Sequence, residues 1–286
     1  MTLSNTDIKW LHVELSSRCN AWCTACPRNN RGYGIRDGLV EQDLTIDRYI
    51  EVLESLPNLE CVQFCGNDGD PIISKNILDV LSVTKKFVSK IQIHTNGSLR
   101  TPTWWANLAE LLSDINHDVW FGIDGLQGVH EIYRQGTSYS KIIDNATAFI
   151  NNGGVATWQF IPFAHNEHQL VDCIKKSKEL NFHKFKLIKI LRNNTVGYDY
   201  KTGKRYDIMP PTDIGHISKV ISQCNSSVDI SDCMHMSIPS VYLSSAGKLF
   251  NCCYFDKQEG GATAVADLLS ESITFDNLIC LKNCGK

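Results

Sequence analysis

Long apolar runs are absent from this chain. No stretch approaches the roughly 20 consecutive apolar residues that a membrane-spanning helix needs. The first residues, MTLSNTDIKW, have neither the basic nor the apolar region of a secretory signal, so the expected location is cytoplasmic. A dominant charge is absent too. The 28 basic and 31 acidic residues leave a net charge of −3, which supplies no global field toward nucleic acid or anionic lipid. No internal repeat or low-complexity tract is visible. With 43% hydrophobic and 21% charged residues, the composition is that of an ordinary soluble globular protein. Its 286 residues exceed one average domain and suffice for a sizeable core.

Cysteine is the exception. Twelve occur, and disulfides are rare in the cytosol, so grouped cysteines there indicate metal binding or catalysis. One group is Cys19, Cys23 and Cys26; a pair follows at Cys61 and Cys65, and Cys173 stands alone. The rest are Cys224, Cys233, Cys252, Cys253, Cys280 and Cys284. Groups near both ends predict two separate sites.

Short β-rich runs recur at 10–15, 61–64, 91–94, 119–123, 158–163 and 185–190. Between them, residues 46–56, 77–87, 103–112, 141–150 and 168–180 carry apolar residues at i, i+3 and i+4. Thr45 and Asn166 are candidate N-caps, and Asn152-Gly153-Gly154 is a helix stop. Alternation at roughly 30 residues per unit predicts βαβ units and a parallel sheet covered by helices. Periodicity does not distinguish an open doubly wound sheet from an incomplete (β/α) barrel. The pattern then changes. Residues 192–211 are polar and end in Pro210-Pro211, which reads as a linker or excursion. SVYL (240–243), SSAG (244–247) and KLFN (248–251) predict a β-hairpin turning at Gly247. The expected division is a core over 1–210 and a small second domain over 211–286.

The first cysteine group has the spacing C-x3-C-x2-C and directly follows the first predicted strand. In α/β folds the loops after strands build the sites. Three thiolates can hold three irons of a 4Fe-4S cluster and leave the fourth open. Two other readings exist. Cysteines at i, i+4 and i+7 share a helix face, but Asn20, Pro27 and the run NNRGYG oppose a long helix. Zinc is the other, without an obvious fourth ligand nearby.

This loop resembles the cluster motif of the radical S-adenosylmethionine (radical SAM) superfamily. GNDGDP (66–71) resembles the family's turn that holds the methionine amino group of SAM, with Gly69-Asp70-Pro71 standing in for the usual glycine–glutamate–proline. Thr95-Asn96-Gly97 and GIDG (122–125) resemble segments at the ends of later strands, with Gly122 where serine is frequent. HEIYRQG (130–136) places Arg134 where an arginine approaches the SAM carboxylate, which a guanidinium fork suits. The resemblance covers most of residues 8–190. It implies a partial (β/α)6 TIM-like barrel in which Cys19, Cys23 and Cys26 hold the cluster. It also implies SAM bound by Gly69, Asp70, Pro71, Asn96, Asp124 and Arg134. Reductive cleavage of SAM would yield a 5′-deoxyadenosyl radical that takes hydrogen from a substrate. An electron donor such as flavodoxin or ferredoxin would feed the cluster.

In the second group, Cys233-x13-Gly247-x4-Cys252 resembles the opening of the SPASM and twitch domains that follow some radical SAM cores. Cys280 and Cys284 are candidates for the remaining ligands of an auxiliary 4Fe-4S cluster, and the short remaining sequence fits the twitch form. Structural zinc is the competing occupant. Cys253 and Cys224 are alternatives to Cys252 and Cys233.

Other residues have plainer readings. Cys61, Cys65 and Cys173 read as packing residues, His165 and His168 as capping or solvated groups, and Trp104-Trp105 as helix packing. Residues 175–205 hold ten Lys or Arg against Glu179 and Asp199. That stretch is a solvated face or a site for an anionic substrate: a phosphorylated metabolite, an acidic peptide or RNA. The expected function is radical SAM chemistry on a peptide or small molecule, including alcohol dehydrogenation. The alternatives are a zinc-stabilised binding protein and a degenerate radical SAM scaffold.

Overall fold

The six predicted runs form strands β1 (Trp10–Val13), β2 (Cys61–Phe64), β3 (Lys90–Thr95), β4 (Asn116–Gly122), β5 (Ala156–Phe160) and β6 (Lys184–Leu187). Between them lie α1 (Ile46–Glu54), α2 (Ile77–Thr84), α3 (Pro102–Leu112), the single turn α4 (His130–Tyr133), α5 (Tyr139–Asn151) and α6 (Leu170–Glu179). The computed structural model describes residues 4–188, 196–212, 228–230, 239–250 and 261–270.

Local chemistry sets the helix ends. The Thr45 side chain accepts from the Arg48 amide at the start of α1, which then buries Tyr49, Val52 and Leu53. Thr101 caps α3, and Pro102 sits at its first turn, where a missing N–H costs nothing. Asn166, the other predicted cap, makes no cap bond. Its side chain donates to the carbonyls of Asp124 (3.0 Å) and Ile161 (2.9 Å), tying two strand-end loops together.

Strands β1 to β6 lie side by side in chain order, all parallel. Right-handed crossovers that all step the same way put every connecting helix on one face. A doubly wound sheet reverses direction partway; this one does not, and it is the partial (β/α)6 barrel. Alternation sorts the strand residues between the faces. Leu11, Val13, Val62, Phe64, Ile91, Ile93, Val119, Phe121, Trp158 and Phe185 pack with the helix residues Trp105, Ala146 and Phe149 in one apolar core. His12, Gln63, Gln92, His94, Thr157 and Gln159 occupy the alternate positions, on the face away from that core. A closed eight-stranded barrel fills its inside with branched apolar side chains. Here polar and aromatic groups line it.

Beyond β6 the chain adds β7 (Val196–Tyr198), β8 (Arg205–Asp207), β9 (Val228–Ile230), β10 (Ser240–Leu243), β11 (Leu249–Phe250) and α7 (Val265–Ser270). The predicted hairpin at 240–250 forms, with Gly247 at φ +74° in its turn. Its strand β10 pairs in parallel with β1, so the hairpin extends the core sheet. The described residues of the stretch read as a linker or excursion, 196–211, are the excursion and not the linker. Within them β7 and β8 pair antiparallel, and they fold back onto the cysteine loop. Exposed polar residues in the sequence concealed this, because the contacting groups are tyrosines spaced through it. No described helix is long and apolar enough to cross a membrane.

Candidate functional site

Cys19, Cys23 and Cys26 follow β1 in a loop without regular secondary structure, so the helical reading of their spacing does not apply. All three line a cavity of about 280 Å³ at the ends of the strands. Also on its wall are Gly69, Asp70, Asn96 and Arg134. Sequence positions spread over more than a hundred residues thus meet in one place.

Among the described residues, no three His, Cys, Asp or Glu side chains converge as they must around a single ion. The thiols instead surround a volume. Three cysteines on one cavity wall are a donor set that a polynuclear iron–sulfur body can use. Burial first, then the Asp70 carboxylate and the neighbouring thiols, push the Cys19 thiol well above its ordinary value. A thiol placed like Cys19 keeps its proton unless a cation compensates the thiolate charge, as bound metal does. The donor set and the enclosed volume fit a cluster.

The wall after β2 is organised by two buried carboxylates. Asp70 accepts from the amides of Ile72 (3.0 Å) and Asn96 (2.7 Å) and from the Thr95 hydroxyl (3.0 Å). Its side chain is therefore committed to fixing the Thr95–Gly97 strand end against the turn. Burial raises the Asp70 carboxyl above its usual range, and these donors oppose the rise. Pro71 opens the short 3-10 turn that follows and is buried. Glu14 was missed from sequence. Its Oε1 accepts from the amides of Asp68 (2.6 Å) and Gly69 (3.1 Å), and its Oε2 from the Tyr242 hydroxyl (2.6 Å). The available signal was an acidic residue in the predicted apolar run 10–15, just beyond β1, where a buried glutamate is rare unless paired.

Asn96 donates to Asn20 Oδ1 (2.9 Å) and lies 3.7 Å from Cys19 Sγ. Asn20 in turn donates to Ser98 Oγ (2.8 Å). Asp124 is fully buried. Its Oδ2 accepts from Arg134 Nε at 2.6 Å and its Oδ1 from the Ile161 amide at 2.7 Å. Burial raises the Asp124 carboxyl while Arg134 opposes the rise. For Arg134, burial opposes the charge and Asp124 outweighs it, so the guanidinium stays protonated. With Nε committed, the two Nη groups have no acceptor among the described residues, and Arg134 lines the cavity. That leaves a two-pronged donor facing the thiols, the geometry a carboxylate accepts. Gly122 explains itself here. A Cβ on it would lie 2.6 Å from Arg134 Nη2, so the guanidinium rests on the bare backbone.

The remaining candidates separate. Cys61 and Cys173 are buried as packing residues, whereas Cys65 lines the cavity. Trp105 is fully buried, edge-on to Trp104. His168 is exposed, but His165 corrects the solvated reading: it stacks on Phe163, and both its ring nitrogens are buried. Lys184 is exposed and Lys186 half-buried, with its ammonium 4.7 Å from the Trp120 ring. Cys233, Cys252, Cys280 and Cys284 lie outside the described residues, as do Cys224 and Cys253.

No protein-family model matches the chain. Over 129 residues it is 30% identical to the tungsten-containing aldehyde ferredoxin oxidoreductase cofactor-modifying protein of Pyrococcus furiosus, spanning 45% of this chain and 34% of that one. Its fold is similar to that of SuiB from Streptococcus suis, solved with S-adenosylmethionine, at TM-score 0.65 and 13% identity. That match covers 97% of this chain and 66% of SuiB. It is also similar to anSMEcpe with bound AdoMet, at TM-score 0.66 and 16% identity, covering 96% and 87%. These neighbours are radical SAM enzymes, and the chain shares their fold.

Proposed function

We propose that this chain, which has the radical SAM fold, is itself a radical SAM enzyme in which Cys19, Cys23 and Cys26 hold a 4Fe-4S cluster and Gly69, Asp70, Pro71, Asn96, Asp124 and Arg134 hold SAM. One observation carries the reading: three thiols and the uncommitted Nη groups of Arg134 line the same cavity. When bound, the reduced cluster and SAM supply the 5′-deoxyadenosyl radical that takes hydrogen from the substrate.

The chain's own residues bind, orient and exclude water. Arg134 presents a fork to the SAM carboxylate, and Asp124 and Gly122 fix its plane. Glu14 and Asp70 act through the backbone: they shape the 66–71 turn and set Asn96 beside Cys19. Ala21, Ile161, Phe163 and Ile188 give the cavity an apolar side, which shields a reactive species from solvent.

The substrate is a peptide or a small molecule such as an alcohol. SuiB, solved with its precursor peptide SuiA, supports the peptide reading. Reduction would come from a flavodoxin- or ferredoxin-type donor. Residues 211–286 would form the twitch-like unit, with Cys233, Cys252, Cys280 and Cys284 around an auxiliary 4Fe-4S cluster. The proposed location is cytoplasmic, where grouped cysteines serve metal binding or catalysis.

The test is anaerobic reconstitution followed by iron, sulfide and zinc analysis and incubation with SAM and reductant. Loss of one EPR signal in the Cys19, Cys23 and Cys26→Ala variant, and 5′-deoxyadenosine from the wild type, are the expected results. Stoichiometric zinc without labile sulfide would sink the reading. A loaded protein that never cleaves SAM, even with candidate peptides, would leave a scaffold.

A further inference from the structure

We propose that the hairpin β7–β8 is a clamp on the Cys19–Cys26 loop, with Gln135 and Tyr206 as positioning residues that hold the cluster ligands in place. This rests on the iron–sulfur reading of that loop.

The loop needs an external support. Within it, one backbone hydrogen bond closes a turn, from the Cys26 amide to the Cys23 carbonyl (3.0 Å). The cavity side is held by Asn20, Asn96 and Ser98. The loop is also held by the hairpin.

Gln135 follows Arg134 directly and is buried. Its backbone carbonyl and both side-chain polar atoms join loop to hairpin. Its carbonyl accepts from the Trp22 amide (2.8 Å), and its Oε1 accepts from the Tyr200 amide (2.9 Å). Its Nε2 donates to the Tyr198 carbonyl (3.0 Å) and to the Tyr206 hydroxyl. The Tyr206 hydroxyl donates to the Ile132 carbonyl (3.2 Å), which leaves its oxygen to accept from Gln135 and from the Thr24 hydroxyl. Thr24 lies between two of the three cysteines.

Packing adds to these bonds. Tyr206 and Ile208 join Ala21, Cys23, Ala25 and Phe163 in an apolar cluster separate from the main core. The Trp22 and Tyr200 rings are nearly parallel, with centroids 6.2 Å apart. The Tyr198 amide donates to the Arg31 carbonyl (2.9 Å), at the far end of the cysteine segment. Opening the loop to release a thiolate therefore requires breaking this set of bonds together. The residue that holds the hairpin, Gln135, is the chain neighbour of the proposed SAM-carboxylate arginine, so the clamp also fixes Arg134 relative to the cysteines.

The experiment uses the full chain, reconstituted anaerobically. Iron release to a strong chelator is timed for wild type, Tyr206→Phe, Thr24→Val and Gln135→Ala, with Lys204→Ala on the exposed hairpin as control. EPR spectra of the reduced cluster are taken with and without SAM, and thermal midpoints check the fold. The clamp predicts about tenfold faster release in Tyr206→Phe and more in Gln135→Ala, the size of effect one or more lost hydrogen bonds produce. It also predicts that Gln135→Ala needs more SAM for its EPR shift, while Lys204→Ala matches wild type. Release within twofold of wild type in all three loop-side variants would overturn the clamp alone. A wild-type chain that takes up no iron and sulfide would overturn the iron–sulfur reading beneath it.

Discussion

Gly122 carries more information than its size. A side chain there collides with the Arg134 guanidinium, whose Nε is held by Asp124 at 2.6 Å. Gly122→Ala should raise the Kd for SAM about tenfold or more by displacing the fork, measured by calorimetry on the reconstituted protein. Asp124→Asn keeps the shape, removes the opposing charge and should weaken SAM binding in the same direction. If both variants bind SAM as wild type does, Arg134 has no part in the site. The sequence made Arg134 legible through HEIYRQG, and it made Gly122 visible only as a departure from serine. The reason for the glycine lies in the tertiary structure, because the group it accommodates is twelve residues away in sequence.

At the scale of elements, the joint between β1 and β10 matters most. Tyr242 on β10 donates to Glu14 just beyond β1, and Glu14 holds the turn after β2. Tyr242→Phe removes one hydrogen bond to a buried carboxylate. It should lower the unfolding free energy by about 1.5–3 kcal/mol, read from urea midpoints at constant slope, and loosen SAM binding by way of the 66–71 turn. An unchanged midpoint would remove Glu14 from the support of that turn. The strands and helices themselves were largely readable. β2 coincides with the predicted run, and α1, α2, α3, α5 and α6 fall on the predicted apolar stripes. The hairpin at 196–207 was not readable, because its three-residue strands are too short for period-2 alternation to register.

For the molecule as a whole, two buried histidines are expected to cost stability in acid. His130 Nδ1 accepts from the Asp124 amide (3.1 Å), so its ring is neutral and its Nε2 donates to Thr137 Oγ1 (3.0 Å). Protonation would set N–H against N–H. Burial accordingly pushes His130 down to about 3, and burial with His12 and Lys186 nearby pushes His94 down to about 3. The unfolded chain binds these protons first, so stability falls as pH drops below about 6.5 and continues to fall toward 3. Each histidine contributes at most about 1.4 kcal/mol per pH unit. The raised carboxyls of Asp70 and Asp124 act in the opposite sense, so the comparison is between wild type and His130→Asn. The variant should show a shallower loss of unfolding free energy between pH 6.5 and 5, and identical slopes would assign that loss elsewhere. Seen whole, local pattern determined what local pattern can. Alternating apolar runs named six strands and their helices, and the C-x3-C-x2-C spacing named the loop. Tertiary structure decided the rest. Strand order, which no periodicity encodes, made the sheet a partial barrel and gave it a polar inner face. Long-range contacts then brought Glu14, Arg134 and the β7–β8 tyrosines around three cysteines, because a buried polar group must find its partner in space, wherever the chain supplies it.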